Sequence, residues 1–208
     1  MESLQGRDLG MMVEEYDVLQ RAFGCLARGL SFIHRHSMRN RDICPQNILF
    51  RGSQVVYTNF GHAPEPFSLQ HAKAAANDPM RRYRAPEYQE GGEENNSSDV
   101  FSLGCVFIEI LTVLDEVMPP PLEAEACYSE AIGRFICGEL CALSPYSRTY
   151  LPKYSCWHMV QRKPEDRWWA GLAAEILLGH DIPGQFFCDA CAIDTERHKY
   201  RHLMNNSV

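Results

Sequence analysis

A mainly α-helical fold carrying one small β-hairpin pair is what this sequence predicts, and three observations predict it. Between Glu14 and His36 the apolar residues Leu19, Phe23, Leu26, Leu30 and Ile33 recur at intervals of three and four, the spacing that lines one face of an α-helix. From Asp99 to Val113 the run DVFSLGCVFIEILTV is apolar nearly all round, as in a helix buried on every side. Between them, Ile48, Leu49 and Phe50 and then Val55, Val56 and Tyr57 form two short apolar and β-branched runs around Arg51, Gly52 and Ser53, a turn signature.

Taken in order, Met1 to Met12 is short and polar and reads as a loop or a single helical turn. The first helix follows, with Glu14, Glu15 and Asp17 suited to its positive end and Arg35 and His36 to its negative end. The loop after it, from Asn40, carries Arg41, Asp42 and Asn47, and the loop after the hairpin carries Asn59, Phe60 and Gly61. A hairpin this short brings the two polar loops side by side. His62 to Arg82 has little periodicity and ends at Tyr83, Arg84, Ala85, Pro86 and Glu87. Gln89 to Ser98 is acidic and rich in Asn and Ser, an exposed loop in which Ser97 or Ser98 caps the apolar helix. Pro119, Pro120 and Pro121 break the chain, and Leu122 to Leu143 offers only a weak helical pattern. Tyr154 to Val160 and Trp168 to Leu178 read as two closing helices, joined by Gln161 to Asp166 and then Arg167.

Composition bounds what such a fold can serve. A chain of 208 residues, 45% apolar and 23% charged, can bury one sizeable core. A net charge of −7 argues against nucleic acid or an anionic membrane as the main partner and leaves protein as the expected one. The nine cysteines are odd in number and include single residues on apolar stretches (Cys25, Cys105, Cys137), which suits buried thiols in a reducing compartment, cytoplasmic or nuclear, better than a disulfide framework. The opening MESLQGRDLG lacks the basic and apolar segments of a signal peptide. No uninterrupted apolar stretch approaches the ~20 residues of a spanning helix.

Asp42 with Asn47 five residues on, a second loop of the form x-Phe-Gly at Asn59, Phe60 and Gly61, the string Tyr83 to Glu87, and a helix opening Asp-Val-Phe-Ser-Leu-Gly at Asp99 fall in one order along the chain. Together they resemble the carboxy-terminal lobe of eukaryotic protein kinases. The resemblance covers about Met1 to Leu178. It implies a kinase-like domain over 1–178, with a catalytic loop at 40–49, an Asn-Phe-Gly loop at 59–61, an activation segment at 61–87 and a central helix at 99–113, followed by a tail at 179–208. It also implies a truncated form in which the amino-terminal lobe is absent, since the Gly-rich phosphate loop, the strand Lys and the helix Glu of a complete kinase have no counterpart here.

The same resemblance implies ATP and Mg²⁺ as cofactors, Asp42 as catalytic base, Asn47 as an oxygen ligand of the metal, and Arg41 as a reader of an activating phosphate. Asn47, Asn59, Phe60 and Gly61 would border the nucleotide. Glu87 would pair with Arg167, and Asp99 would hold the backbone of the catalytic loop. Three departures fall on chemistry: Asn40 stands in place of His, Cys44 in place of Lys, and Asn59 in place of the magnesium-binding Asp. A carboxamide can occupy a carboxylate's position without supplying its charge, which a hard cation needs. Met80 stands where Ser/Thr-specific kinases carry a Thr, and Ser68 is the sole hydroxyl residue between Gly61 and Arg82, so regulation by loop phosphorylation is not expected. Two functions follow: a catalytically impaired, pseudokinase-like lobe that binds or scaffolds proteins, or a divergent Ser/Thr kinase that moves the ATP γ-phosphate to protein hydroxyls.

In the tail, Cys188, Cys191, His198 and His202 have the ligand types of a zinc site. The six residues between the pairs are half what a two-Cys, two-His finger needs, so the tail is read as polar chain without zinc.

Overall fold

The structure, a computed structural model, describes residues 2–3, 13–52, 54–59, 82–89, 95–115, 147–181 and 184–192. Phe60, Gly61, the stretch 62–81 with Ser68 and Met80, the stretch 122–143, His198 and His202 lie outside them.

The first helix, α1 (Val13–Arg35), follows the apolar stripe: Phe23, Leu26 and Leu30 are buried while Phe32, off the stripe, is exposed. The helix opening near Asp99 is α3 (Asn96–Leu114), and it begins three residues earlier than its apolar run. Asn95, and neither Ser97 nor Ser98, is its cap: Asn95 Oδ1 accepts from the amides of Ser97 and Ser98 at 2.8 and 3.2 Å, and Ser98 Oγ accepts from the Asn95 amide at 3.1 Å. Ser97 and Ser98 lie inside the first turn, past the cap position, and their hydroxyls donate to Pro164 O and to Glu87, each at 2.8 Å. Phe107 of α3 meets Phe23 of α1 edge to face, with ring centroids 4.9 Å apart. Among the described residues α3 passes the length and composition tests for a membrane span, contrary to the sequence expectation, but 72% of that stretch is buried inside the protein. Its apolar surface is satisfied by α1 and by α4 (Tyr150–Met159).

The hairpin consists of β2 (Ile48–Arg51) and β3 (Gln54–Tyr57), antiparallel with Ile48 opposite Tyr57 and Arg51 opposite Gln54. Gly52 turns the chain with φ 57, the left-handed region that a two-residue hairpin loop requires at its first position. A third strand, β1 (Glu2–Ser3), pairs with β2 where a loop or helical turn was expected. The open edge of β2 supplies its hydrogen-bonding partners. Tyr57 reaches back from β3 to donate its hydroxyl to Leu26 O at 2.9 Å, tying the hairpin to α1.

The string Tyr83 to Glu87 runs into the short helix α2 (Pro86–Gln89), with Tyr83 and Ala85 buried. Of the two closing helices, α4 starts four residues before the expected Tyr154, accommodating Pro152 in its first turn, where no amide hydrogen is needed. The second, α5 (Ala170–Gly179), packs on α1.

Residues 184–192 lie across α1 at Gly24, whose amide donates to Phe186 O at 3.1 Å. A Cβ at residue 24 would overlap Phe186 O and the Phe187 ring. Gly24→Ala is therefore expected to cost about 1–3 kcal/mol by overpacking and to strip hydrogen-exchange protection from residues 184–192. Unchanged melting and unchanged protection in that segment would refute the close approach.

Candidate active site

The geometry of the first loop starts from Asp99. Its Oδ1 accepts the Arg41 amide at 2.9 Å, and its Oδ2 accepts the Asn40 amide at 3.0 Å and His34 Nε2 at 3.0 Å. A carboxylate only accepts, so His34 carries its proton on Nε2. This clamp holds Arg41 at φ 65, a conformation that costs a non-glycine residue about 1–3 kcal/mol when unsupported. Tyr57 is nearby in charge terms: burial first, and then the Asp99 charge, push its phenol well above the ordinary value.

From this anchor the loop turns Asp42 toward Asn47. The Asp42 amide donates to Asn40 Oδ1 at 3.2 Å, so the Asn that replaces His serves the loop's own backbone. Asn47, at the end of the 3-10 turn Pro45–Asn47, donates its amide to Asp42 Oδ2 at 2.7 Å and to Asp42 O at 2.9 Å. The second loop is fastened to the first by Thr58, whose amide and hydroxyl donate to Asn47 O at 2.9 and 3.1 Å. Asn59 then takes φ 59, which Asn tolerates better than most residues, and donates its Nδ2 to Asn47 Oδ1 at 2.6 Å. Asp42, Asn47 and Asn59 are thus brought together, Arg41 directs its backbone inward with its side chain exposed, and Phe60 and Gly61 lie outside the described residues. Cys44, in place of the family's Lys, is buried, with its thiol 3.8 Å from Asp42 O.

The direction of this chain of amides is forced. Asp42 is acceptor-only, so Asn47 must turn its NH₂ to it and its oxygen outward; Asn59 must then present NH₂ to that oxygen. Asn47 Oδ1 is thereby engaged by a proton of its neighbour at 2.6 Å.

Glu87 and Arg167 form the second cluster. Arg167 Nη1 and Nη2 donate to Glu87 Oε1 and Oε2, each at 2.7 Å, a bidentate fork. Nη1 also donates to Ser97 O at 3.1 Å, Nη2 to Arg162 O at 2.9 Å and Nε to Gln161 O at 2.6 Å, so all five guanidinium protons are used. The guanidinium lies 4.9 Å from the centre of the Phe101 ring. Burial would push the Glu87 carboxyl up, but the Arg167 hydrogen bonds and charge, with help from Ser98, hold it below its ordinary value. A cleft of about 380 Å³ touches this region through His34, Val100, Arg167 and Trp168, and none of Asp42, Asn47 or Asn59 lines it.

In the tail, Cys188 and Cys191 come to Cys25 of α1, with the three sulfurs all within 4.8 Å of one another. Cys25 reads from the sequence as a single buried thiol, and nothing in its surroundings on an apolar helical face marks it as a partner of residues so far along the chain.

A sequence model of the protein kinase domain matches residues 1–125, more than half of the chain. Among similar proteins, the serine/threonine-protein kinase PknA of Corynebacterium glutamicum is 35% identical over 130 residues, covering 53% of this chain and 25% of that protein. The MAP kinase kinase skh1/pek1 of Schizosaccharomyces pombe is 37% identical over 109 residues, covering 50% of this chain and 29% of its own length. The chain therefore belongs to the protein kinase family. These alignments span about a quarter of the length of the relatives.

Proposed function

We propose that this chain is a catalytically impaired, pseudokinase-like lobe, with a kinase-like domain over residues 1–178 and a tail over 179–208, that works in a reducing compartment by binding protein rather than by transferring phosphate. The observation that carries this reading is the hydrogen-bond chain Asn59 to Asn47 to Asp42, with links of 2.6 and 2.7 Å. A magnesium site needs anionic oxygens left open toward the ion. Here the oxygen of Asn47 already accepts an amide proton, one Asp42 oxygen accepts another, and neither Asn47 nor Asn59 brings the charge that the ion needs. These residues do not fit Mg²⁺, so no phosphoryl-transfer step is assigned to them. The described thiols are unbridged, in keeping with such a compartment.

Replacing Asn59 by Asp tests this directly. The substitution sets a carboxylate against Asn47 Oδ1 with no proton between them, so it is expected to cost about 1–3 kcal/mol in the presence of a chelator and to make stability depend on Mg²⁺. The unchanged protein is expected to melt at the same temperature with and without Mg²⁺·ATP and to leave labelled phosphate on ATP. Transfer to protein that Asp42→Asn abolishes would overturn the proposal.

The retained Asp42–Asn47 pair favours a second reading, a divergent Ser/Thr protein kinase with Asp42 as base and Asn47 as an oxygen ligand of the metal. Stabilisation of the unchanged protein by ATP only when Mg²⁺ is present would select it.

A further inference from the structure

We propose that Cys25, Cys188 and Cys191 form a thiolate site for a tetrahedral divalent cation, Zn²⁺, that fastens residues 184–192 to α1. The three sulfurs converge from distant parts of the chain to within 4.8 Å of one another. Tetrahedral Zn²⁺ with Zn–S bonds of about 2.3 Å sets its sulfurs roughly 3.8 Å apart, so the cluster needs only a small contraction to accept the ion. Cys188 and Cys191 are in register for it: the Ala192 amide closes a helical turn on Cys188 O at 2.9 Å, and a spacing of three residues puts both side chains on one face of that turn.

A backbone amide and a guanidinium fasten the trio in place. The Cys188 amide donates to Cys25 Sγ at 3.3 Å, a contact that a thiolate accepts more strongly than a thiol. Arg28, one turn beyond Cys25 on α1, donates Nη1 to Cys191 O at 2.5 Å, which fixes the second end of the turn and sets a positive charge beside a site whose three thiolates outweigh the cation by one. Gly24, beside Cys25, lets the Phe186 carbonyl and the Phe187 ring come close enough for the sulfurs to meet. Three sulfurs leave one tetrahedral corner, which water or an imidazole fills in zinc proteins. Binding transfers no electrons: three S–Zn bonds form as the thiol protons pass to solvent.

The test uses the full chain, purified after growth in zinc-supplemented medium. Metal analysis is expected to find one zinc per chain, and Cys25→Ser, Cys188→Ser and Cys191→Ser are each expected to lose it. Because a serine variant could fail to fold, the unchanged protein is also exchanged with Co²⁺, which is expected to give the thiolate-to-metal charge-transfer absorption and the intense visible bands of a tetrahedral sulfur site. Chelation should lower the melting temperature of the unchanged protein and leave that of a folded Cys191→Ser variant where it was. Zinc-free protein after equilibration with Zn²⁺, a Co²⁺ spectrum without charge transfer, a disulfide within the trio by mass, or zinc retained by folded serine variants would each overturn the assignment.

Discussion

Arg167→Ala is expected to lower the unfolding free energy by about 3–5 kcal/mol, the cost of leaving a buried charge without its partner. Arg167's side chain is fully buried, and its five protons serve Glu87 and three backbone carbonyls that join the start of α3 to the segment between α4 and α5. Glu87→Gln should cost less, because a carboxamide oxygen still accepts from Arg167 and Ser98. Urea unfolding followed by circular dichroism reads both variants, and equal, small losses would show the pair to be a surface contact. The pair also carries a pH signature. The folded Glu87 carboxyl titrates below its ordinary value of 4.5, so its contribution is complete above that value and is lost as the pH falls through the folded pKa. Below pH 4.5 the unchanged protein should lose stability with pH more steeply than Glu87→Gln.

Asp99→Ala comes second. It removes the acceptor of two backbone amides and of His34, and each buried donor left alone costs about 1–3 kcal/mol. Relief of the left-handed Arg41 returns part of that, about 1–3 kcal/mol at most. The expected net loss is about 3 kcal/mol, with rapid hydrogen exchange at Asn40 and Arg41. Asp99→Asn, which keeps one acceptor oxygen, should fall between. Exchange rates at both amides that do not change in Asp99→Ala would show the loop to be held by other contacts.

The elements that sequence periodicity located were those whose burial is carried by a repeating pattern. The stripe Leu19, Phe23, Leu26, Leu30 and Ile33 is the buried face of α1, and the apolar, β-branched run at Val55 to Tyr57 sits in β3. Boundaries set by single hydrogen bonds were harder to read. Asn95 and Ser98 cap α3 through a reciprocal pair of bonds, and an Asn-Ser-Ser run offers several equally plausible caps until the partners of each hydroxyl are known. At the candidate site the sequence showed which residues had changed, Asn40, Cys44 and Asn59, but not where their polar atoms go. That Asn59 closes onto Asn47, and that Cys44 turns into the core, depends on side-chain directions that no spacing encodes. The cysteine trio depends on a contact between α1 and the tail, made possible by the missing side chain of Gly24.

The packing of residues 184–192 over Gly24, and of α5 on α1, bears on how the gene should be cut for expression. The match to the protein kinase domain ends at residue 125, and a cloning boundary drawn from it would fall there. A product ending there would leave the long amino-terminal helix without two of its coverings and would turn an oily groove toward water, so inclusion bodies are its expected fate. Carrying the reading frame through Ala192 keeps the interior closed.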